Sequence, residues 1–263
     1  MNIAVLIKQV PVSNKVSVDS DTHALIRASA EGMINPSDLN AIEAALSLRD
    51  QQGGKVVVFT MGPPQAEASL REAMAIGCDE ACLITDRAFG RADTLATARV
   101  LAKAVEYYGN FNLIACGALS SDGATGQVGA MVAEALDIPH ASEIRSILHM
   151  LADNHQIEVL KDLEQQTYTL LVDLPALVTF QFGCNEPRLA TLRSTRAAKN
   201  KPMLTVTNAE LKIPSELIGA EGSPSRVIDS WEPQDGRKAE MINGNEIELA
   251  QKLRALLAKG DEA

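Results

Sequence analysis

Aromatic side chains are scarce in this sequence: Phe, Tyr and Trp together make up 3% of 263 residues. Surfaces that bind single-stranded nucleic acid stack bases on aromatic rings, and so few rings leave no material for such a surface. Basic charge is short as well. Lys and Arg number 24 against 34 Asp and Glu, a formal net charge of -10. That balance argues against non-specific attraction to nucleic acid or to anionic lipid. No apolar run is long enough to span a bilayer, so membrane insertion is not expected. A first strand expected from the start of the chain leaves no room for a signal or transit peptide, which makes the cytoplasm the expected location. The cysteines, Cys78, Cys82, Cys116 and Cys184, form no second pair and have no nearby histidine to complete a zinc set. They read as buried thiols. His23, His140, His149 and His155 are scattered, and none is given a role. Neither a P-loop nor a G-x-G-x-x-G fingerprint occurs, and no catalytic triad or paired acid set is evident, so no catalytic residue is assigned.

What the chain does have is alternation. Ile3-Ala4-Val5-Leu6-Ile7 is a continuous apolar run, as expected of a strand buried on both faces. Asp38 to Arg49 reads as a helix with Ile42, Ala45, Leu46 and Leu48 on its apolar stripe, ended by Gly53-Gly54. Strand and helix then alternate three more times. The strands are Val56–Thr60, Ala81–Thr85 and Phe111–Cys116; the helices are Pro64–Ile76, Ala92–Tyr108 and Thr125–Leu136. This order predicts an α/β fold: a doubly wound, mostly parallel sheet with helices on both faces. Beyond Pro139 the pattern becomes an antiparallel extension, with strands at Ser142–Met150, Gln156–Lys161 and Gln166–Val172. A further apolar strand follows at Ala176–Phe180. Ser194 to Leu204 is basic and mixed. Residues 1-212 are therefore read as one α/β domain, which resembles the nucleotide-binding adenine nucleotide alpha hydrolase kind. Residues 213-263 are read as an extended, proline-bearing arm followed by an amphipathic helix, Ile247–Leu257.

Open α/β sheets take ligands at the carboxyl ends of their strands, where the strand order switches direction. Three loops fall at that edge. One is Gly117-Ala118-Leu119-Ser120-Ser121-Asp122-Gly123-Ala124-Thr125-Gly126-Gln127, whose small residues and hydroxyls suit an anion beside a helix N-terminus. The second is Met61-Gly62-Pro63-Pro64. The third is Asn35-Pro36-Ser37-Asp38, which is also a good helix-capping sequence.

Seven segments, in order along roughly residues 1 to 200, resemble the electron-transfer flavoprotein beta (small) subunit. They are Ile7-Lys8-Gln9-Val10-Pro11; Ile34-Asn35-Pro36 with Asp38-Leu39-Asn40-Ala41; Thr60-Met61-Gly62-Pro63-Pro64-Gln65-Ala66; Asp93-Thr94-Leu95-Ala96-Thr97; Asp122-Gly123 with Gln127-Val128-Gly129; Leu174-Pro175-Ala176-Leu177-Val178-Thr179; and Asn185-Glu186-Pro187-Arg188 with Ala190-Thr191-Leu192. The resemblance implies an electron carrier that works as a heterodimer with an alpha subunit, which holds most of the redox FAD. The beta-type chain holds a second nucleotide, AMP in simple carriers or FAD in electron-bifurcating members. The implied nucleotide contacts are Leu6; Asn35, Pro36, Ser37 and Asp38; Met61; and Gly117 through Val128. Asp93, Thr94 and Thr97 resemble the bifurcating branch and favour FAD. The long loop departs from the family pattern: Ala118-Leu119-Ser120-Ser121 stands where a cation and Gln-Ala-Ile usually follow the glycine, and Ala124 where an acid is common. A phosphate-neutralising cation is thus missing from the loop itself. The resemblance also implies that Leu192 and Arg193 dock a dehydrogenase, of acyl-CoA or other type. Arg188, Arg196, Lys199 and Lys201 are expected to ring the leucine. The other class to weigh is a stand-alone adenine-nucleotide-binding sensor of stress-protein type, which would need neither arm nor terminal helix.

Overall fold

A computed structural model describes residues 1–12, 17–18, 25–26, 32–151, 155–229 and 241–260. The chain divides into two compact units, Met1–Ile228 and Asp229–Ala263. In chain order the elements are β1 (Asn2–Leu6), β2 (Gln9–Pro11), β3 (Ser17–Val18), β4 (Leu25–Ile26), β5 (Gly32–Ile34), α1 (Pro36–Gln52), β6 (Lys55–Met61), α2 (Glu67–Ile76), β7 (Glu80–Ile84), α3 (Thr94–Tyr108), β8 (Leu113–Gly117), α4 (Val128–Ala135), β9 (His140–Ile144), β10 (Ser146–Met150), β11 (Gln156–Leu163), β12 (Gln166–Asp173), β13 (Ala176–Phe180), α5 (Leu192–Ala198), β14 (Met203–Val206), α6 (Asn208–Leu211) and α7 (Glu246–Gly260).

Seven strands form one sheet in the order β14-β7-β6-β1-β8-β13-β9, and each neighbouring pair is parallel. The continuous apolar runs explain it: Ile3, Ala4 and Val5 and the Val56–Phe59 stretch are completely buried, because helices cover both faces. One apolar layer joins Ile42, Leu46, Leu70 and Met74 of α1 and α2 to the sheet. The other joins Ala98, Leu101 and Val105 of α3 and Val132 of α4 to the opposite face. Three of the few aromatic rings meet there, Phe59 lying edge-on to Tyr108 and Phe111 at 5.2 and 5.6 Å. The doubly wound parallel sheet expected from the sequence is present.

Two local readings change, and a stretch that was given no element proves to hold parts of two. The single strand at Ser142–Met150 is two strands in different sheets: β9 pairs with β13 in the main sheet, and β10 joins the antiparallel sheet β10-β11-β12. No Gly or Pro marks the break. The break falls at Arg145, between the two strands, just after an irregularity inside β9 at Glu143, whose φ of 57° puts a non-glycine residue in the left-handed region and whose amide donates to Thr179 Oγ1 at 2.8 Å. The basic Ser194–Leu204 stretch is ordered: it spans most of α5 and the start of β14, which extends the sheet beyond β7. Residues from Ile213 onward were read as arm, but Ile218 is buried in the α3/α4 layer and the first unit runs to Ile228. In the second unit, α7 carries Leu249, Leu253, Leu256 and Leu257 at helical spacing, all exposed. No helix among the described residues is long and apolar enough to cross a membrane.

Candidate functional site

The chain runs from β1 outward through β6 to β7, then returns to place β8 on the other side of β1. The strand order therefore reverses between β1 and β8, and a ligand crevice is expected at the carboxyl ends of these two strands. The loops leaving them, Ile7-Lys8 and Gly117 to Gln127, meet there.

Asp38, in the first turn of α1, joins them. Its carboxylate accepts from the Lys8 amide at 2.7 Å and from the Gly117 amide at 2.9 Å. A Cβ on residue 117 would sit 2.3 Å from Ser37 Oγ and 2.4 Å from Asp38 Oδ1, so only glycine permits the approach. The Asn35 to Asp38 sequence was expected to cap α1. Asn35 does occupy the cap position, but its side chain caps nothing. Instead its amide donates to Leu119 O and to Ser37 Oγ, both at 2.9 Å, and its carbonyl accepts from the Ser121 amide at 3.0 Å. Ser37 Oγ also donates to Leu119 O at 2.7 Å. Asn35, Ser37 and Asp38 are buried and form the back wall that fixes the loop. A fully satisfied polar cluster of this kind holds one geometry.

The cation missing from the loop arrives from the segment that follows β1. Lys8 Nζ donates to Asp122 Oδ1 at 2.6 Å and to Ser120 Oγ at 3.3 Å. The sequence could not show this, since 112 and 114 residues separate the partners. The only signal was a lysine placed directly after the first strand.

The outer part of the loop is open. Ser121 and Gly123 through Gln127 are exposed, and Ala124 (φ 47°) and Gly126 (φ 64°) lie in the left-handed region. A non-glycine residue held there is the kind of strain that gathers at binding sites. α4 starts at Val128 rather than at Thr125, and no side chain caps it. Its first amides are therefore suited to an anion. Thr94, first residue of α3, donates from Oγ1 to Gln127 Oε1 at 3.1 Å, and Asp93 caps α3 through the Leu95 and Ala96 amides at 3.0 Å each. The Asp93–Thr94 element and the long loop thus come together. Thr97 follows one turn on, half-buried. Leu6 is buried in the α3/α4 layer, and Met61 packs against the same layer at the end of β6. Cys78, Cys82 and Cys116 are buried, the first two with thiols pushed up to about 12 by burial; Cys184 is half-buried rather than fully so. No cluster of three metal-ligating side chains exists among the described residues.

Burial pushes the Asp38 carboxyl up to about 7, against the opposing pull of the Lys8 and Gly117 amides and the Lys8 charge. The ordinary value is 3.8, so between these limits the folded chain keeps a proton that the unfolded chain has lost. This contribution to stability is complete below about pH 4, falls as pH rises, and is lost above about pH 7. In urea titrations across that window the wild type is expected to weaken with pH relative to Asp38→Asn, whose pH slope lacks this component. Equal slopes in the two proteins would show that Asp38 does not titrate there.

Leu192 begins α5 and is 93% exposed; Leu189 is 90% exposed. The ring of cations expected around Leu192 is smaller than its sequence suggested. Arg188 turns inward to Glu43 and Asp50, with contacts of 2.9 Å to each. Lys201 Nζ donates to the carbonyls of Met74 and Cys78. Arg193 and Arg196 do line the surface beside Leu192. Below the loop, Asn40 and Asn185 exchange amide hydrogen bonds at 2.8 to 2.9 Å, tying the Asn185–Arg188 segment to α1.

These features define a doubly wound α/β protein whose switch point, between β1 and β8, carries a loop fastened on its inner side and exposed on its outer side. Comparison with known proteins places it further. The model of the electron transfer flavoprotein domain matches residues 22–211. The electron transfer flavoprotein subunit beta of Thermoanaerobacterium thermosaccharolyticum is 41% identical over 254 residues, covering 96% of each chain. The caffeyl-CoA reductase-Etf complex subunit CarD of Acetobacterium woodii is 37% identical, covering 94% of each. Protein FixA of Azorhizobium caulinodans is 38% identical over 98% of this chain and 94% of its own length. The chain belongs to the electron transfer flavoprotein family, as a beta-type subunit. Proteins of this kind carry electrons rather than catalyse a reaction of their own, and the beta subunit pairs with an alpha subunit.

Proposed function

We propose that this chain, with its alpha subunit, passes electrons from a dehydrogenase to an acceptor through FAD held mainly by the alpha subunit. We further propose that it binds a second nucleotide, FAD in preference to AMP, at the crevice between β1 and β8. The observation that carries the nucleotide reading is the loop from Gly117 to Gln127. Its inner side is fastened by Asn35, Ser37, Asp38 and Lys8, while its outer side exposes hydroxyls and the start of an uncapped helix. Such an edge suits the phosphate and ribose groups common to AMP and FAD. Lys8 supplies positive charge beside the loop, where its ammonium pairs with Asp122. The preference for FAD comes from Thr94 and Thr97, which extend the polar edge beyond the loop. A second FAD, when bound, would add the two-electron chemistry that bifurcation with NADH needs. This chain's part is to bind and orient it.

The partner reading rests on Leu192 and Arg193. An exposed leucine beside arginines suits a docking site that meets an acidic rim. Two relatives have names that tie them to acyl-CoA-type reductases, the caffeyl-CoA complex subunit and the acryloyl-CoA reductase electron transfer subunit gamma of Anaerotignum propionicum. A dehydrogenase of that type is the partner proposed here.

The test is nucleotide content. The heterodimer, co-expressed and denatured, is expected to release two FAD per heterodimer, quantified by chromatography and identified by mass. The chain purified alone is expected to show no turnover and little flavin. AMP in place of the second FAD would overturn the FAD preference and with it bifurcation. No second nucleotide of either kind would overturn the site.

A further inference from the structure

The segment Ile213–Ser225 follows the last strand of the sheet, yet it is fastened to the first turn of α3. Ile213 and Ile218 pack into the layer formed by α3 and α4. Gly219, at φ +56°, passes so close to residue 88 that a Cβ would lie 2.1 Å from its carbonyl oxygen. Ser223 is 5% exposed, and its hydroxyl is used twice. It accepts from the Asp93 amide at 2.8 Å and donates to Gly219 O at 2.6 Å. The Ser225 amide donates to Asp93 Oδ2 at 3.0 Å, and Arg99 Nη1 reaches Gly222 O at 3.4 Å. Asp93 therefore stands between two elements. Oδ1 caps α3, while Oδ2 and the amide hold the strap.

One residue later, Thr94 Oγ1 donates to Gln127, the last residue of the crevice loop. We infer that Ser223 and Ser225 are positioning residues for the crevice: they fix Asp93, Asp93 fixes the first turn of α3, and Thr94 on that turn holds Gln127 where α4 begins. The ligand-binding consequence rests on the nucleotide reading above; the mechanical link does not. The physical case is preorganisation. The outer loop is exposed and has few fastenings of its own, so the ordering that a ligand would otherwise impose at a cost in affinity is supplied beforehand by its neighbours. Gln127 is the one residue of the outer loop that touches α3 through a side-chain hydrogen bond among those described. By linkage, a ligand that orders the loop also tightens the strap, from which the rest of the C-terminal chain continues.

The test uses the full-length chain with Ser223→Ala, which deletes the doubly used hydroxyl, and Ser225→Pro, which deletes the amide and hydroxyl contacts of an exposed residue with Asp93. Ser223→Thr restores the hydroxyl. Amide hydrogen exchange is followed in the loop and in β6, and AMP and FAD are titrated against the same samples. In the first two variants, loop exchange is expected to rise about 5- to 10-fold, the size of one lost hydrogen bond. Exchange in β6 and the melting temperature stay near wild type, nucleotide affinity falls by a similar factor, and Ser223→Thr recovers both. Loop exchange within twofold of wild type in both variants overturns the inference. A wild-type chain that binds neither nucleotide, with a loop that still responds to the strap, overturns the nucleotide reading and leaves the positioning role standing.

Discussion

Gly123→Val is expected to abolish binding of the proposed nucleotide at this loop while leaving the sheet folded. The structure separates the glycines of the loop and of the start of α4 by what a side chain would meet. At residue 117 a Cβ would collide with Ser37 and Asp38, and at 129 it would lie 2.5 Å from Thr179 Cγ2. Substitutions there damage the protein itself. At residue 123 the nearest atoms to a Cβ are Ser120 Oγ at 3.4 Å and Lys8 Nζ at 3.9 Å, ordinary contact distances. The residue is exposed, so the folded chain can take the added carbon. A ligand seated on the loop cannot, because valine's two methyl groups fill the space where phosphate or ribose would approach the backbone. The expected loss of AMP or FAD affinity is on the order of 100-fold, equivalent to ~2.7 kcal/mol. Gly123→Ala should fall between the variant and wild type. Melting temperature is expected to change little, since the loop contributes nothing to either apolar layer. Full nucleotide stoichiometry in the valine variant would move the binding site elsewhere.

The same loop shows what the sequence could and could not carry. Strands buried on both faces announce themselves as unbroken apolar runs, so β1, β6, β7, β8 and β13 were legible one by one. Their alternation with helices then implied the parallel sheet and its ligand-binding edge. β14 was not legible. As an edge strand, Met203–Val206 is half exposed and carries no such run. The inner fastening of the loop was invisible for a different reason. Asn35, Ser37 and Asp38 make a good local capping sequence, and local propensity gives that reading. Tertiary contacts 79 to 86 residues away spend the side chains on the Gly117–Ser121 stretch instead. Lys8 and Asp122 likewise meet only because β1 and β8 are neighbours across the switch point. Resemblance compensated in part. The segments carrying Asn40 and Asn185 were recognised separately, and the structure shows them bonded to each other.

Removing Asp229–Ala263 is expected to abolish tight association with the alpha subunit while preserving the cooperative melt of the rest. A cut after residue 212, the boundary read from the sequence, is the wrong experiment. It would remove Ile218 from the α3/α4 layer and delete the strap on Asp93. Any loss of binding could then be loss of fold. A chain ending at Ile228 keeps the first unit whole. What it loses is α7, where Leu249, Leu253 and Leu256 recur at helical spacing with Leu257 beside them, and Ile247 precedes them. These side chains are 37 to 72% exposed. A stripe of that width on a helix calls for burial, and fully burying one leucine is worth roughly 1.5–3 kcal/mol. Two or three leucines buried against the alpha subunit would contribute about 3–9 kcal/mol before the cost of ordering the segment. A dissociation constant at least about 100-fold weaker is therefore expected for the truncated chain. Leu253→Glu with Leu256→Glu in the full chain should reproduce most of the loss without shortening it. Affinity measured by titration against the purified alpha subunit, with thermal melts in parallel, decides the matter. Unchanged affinity with both variants would mean that α7 does not dock on the alpha subunit. A broadened, non-cooperative melt of the truncated chain would mean that the helix belongs to the core of this subunit, which Met1–Ile228 would then not complete alone.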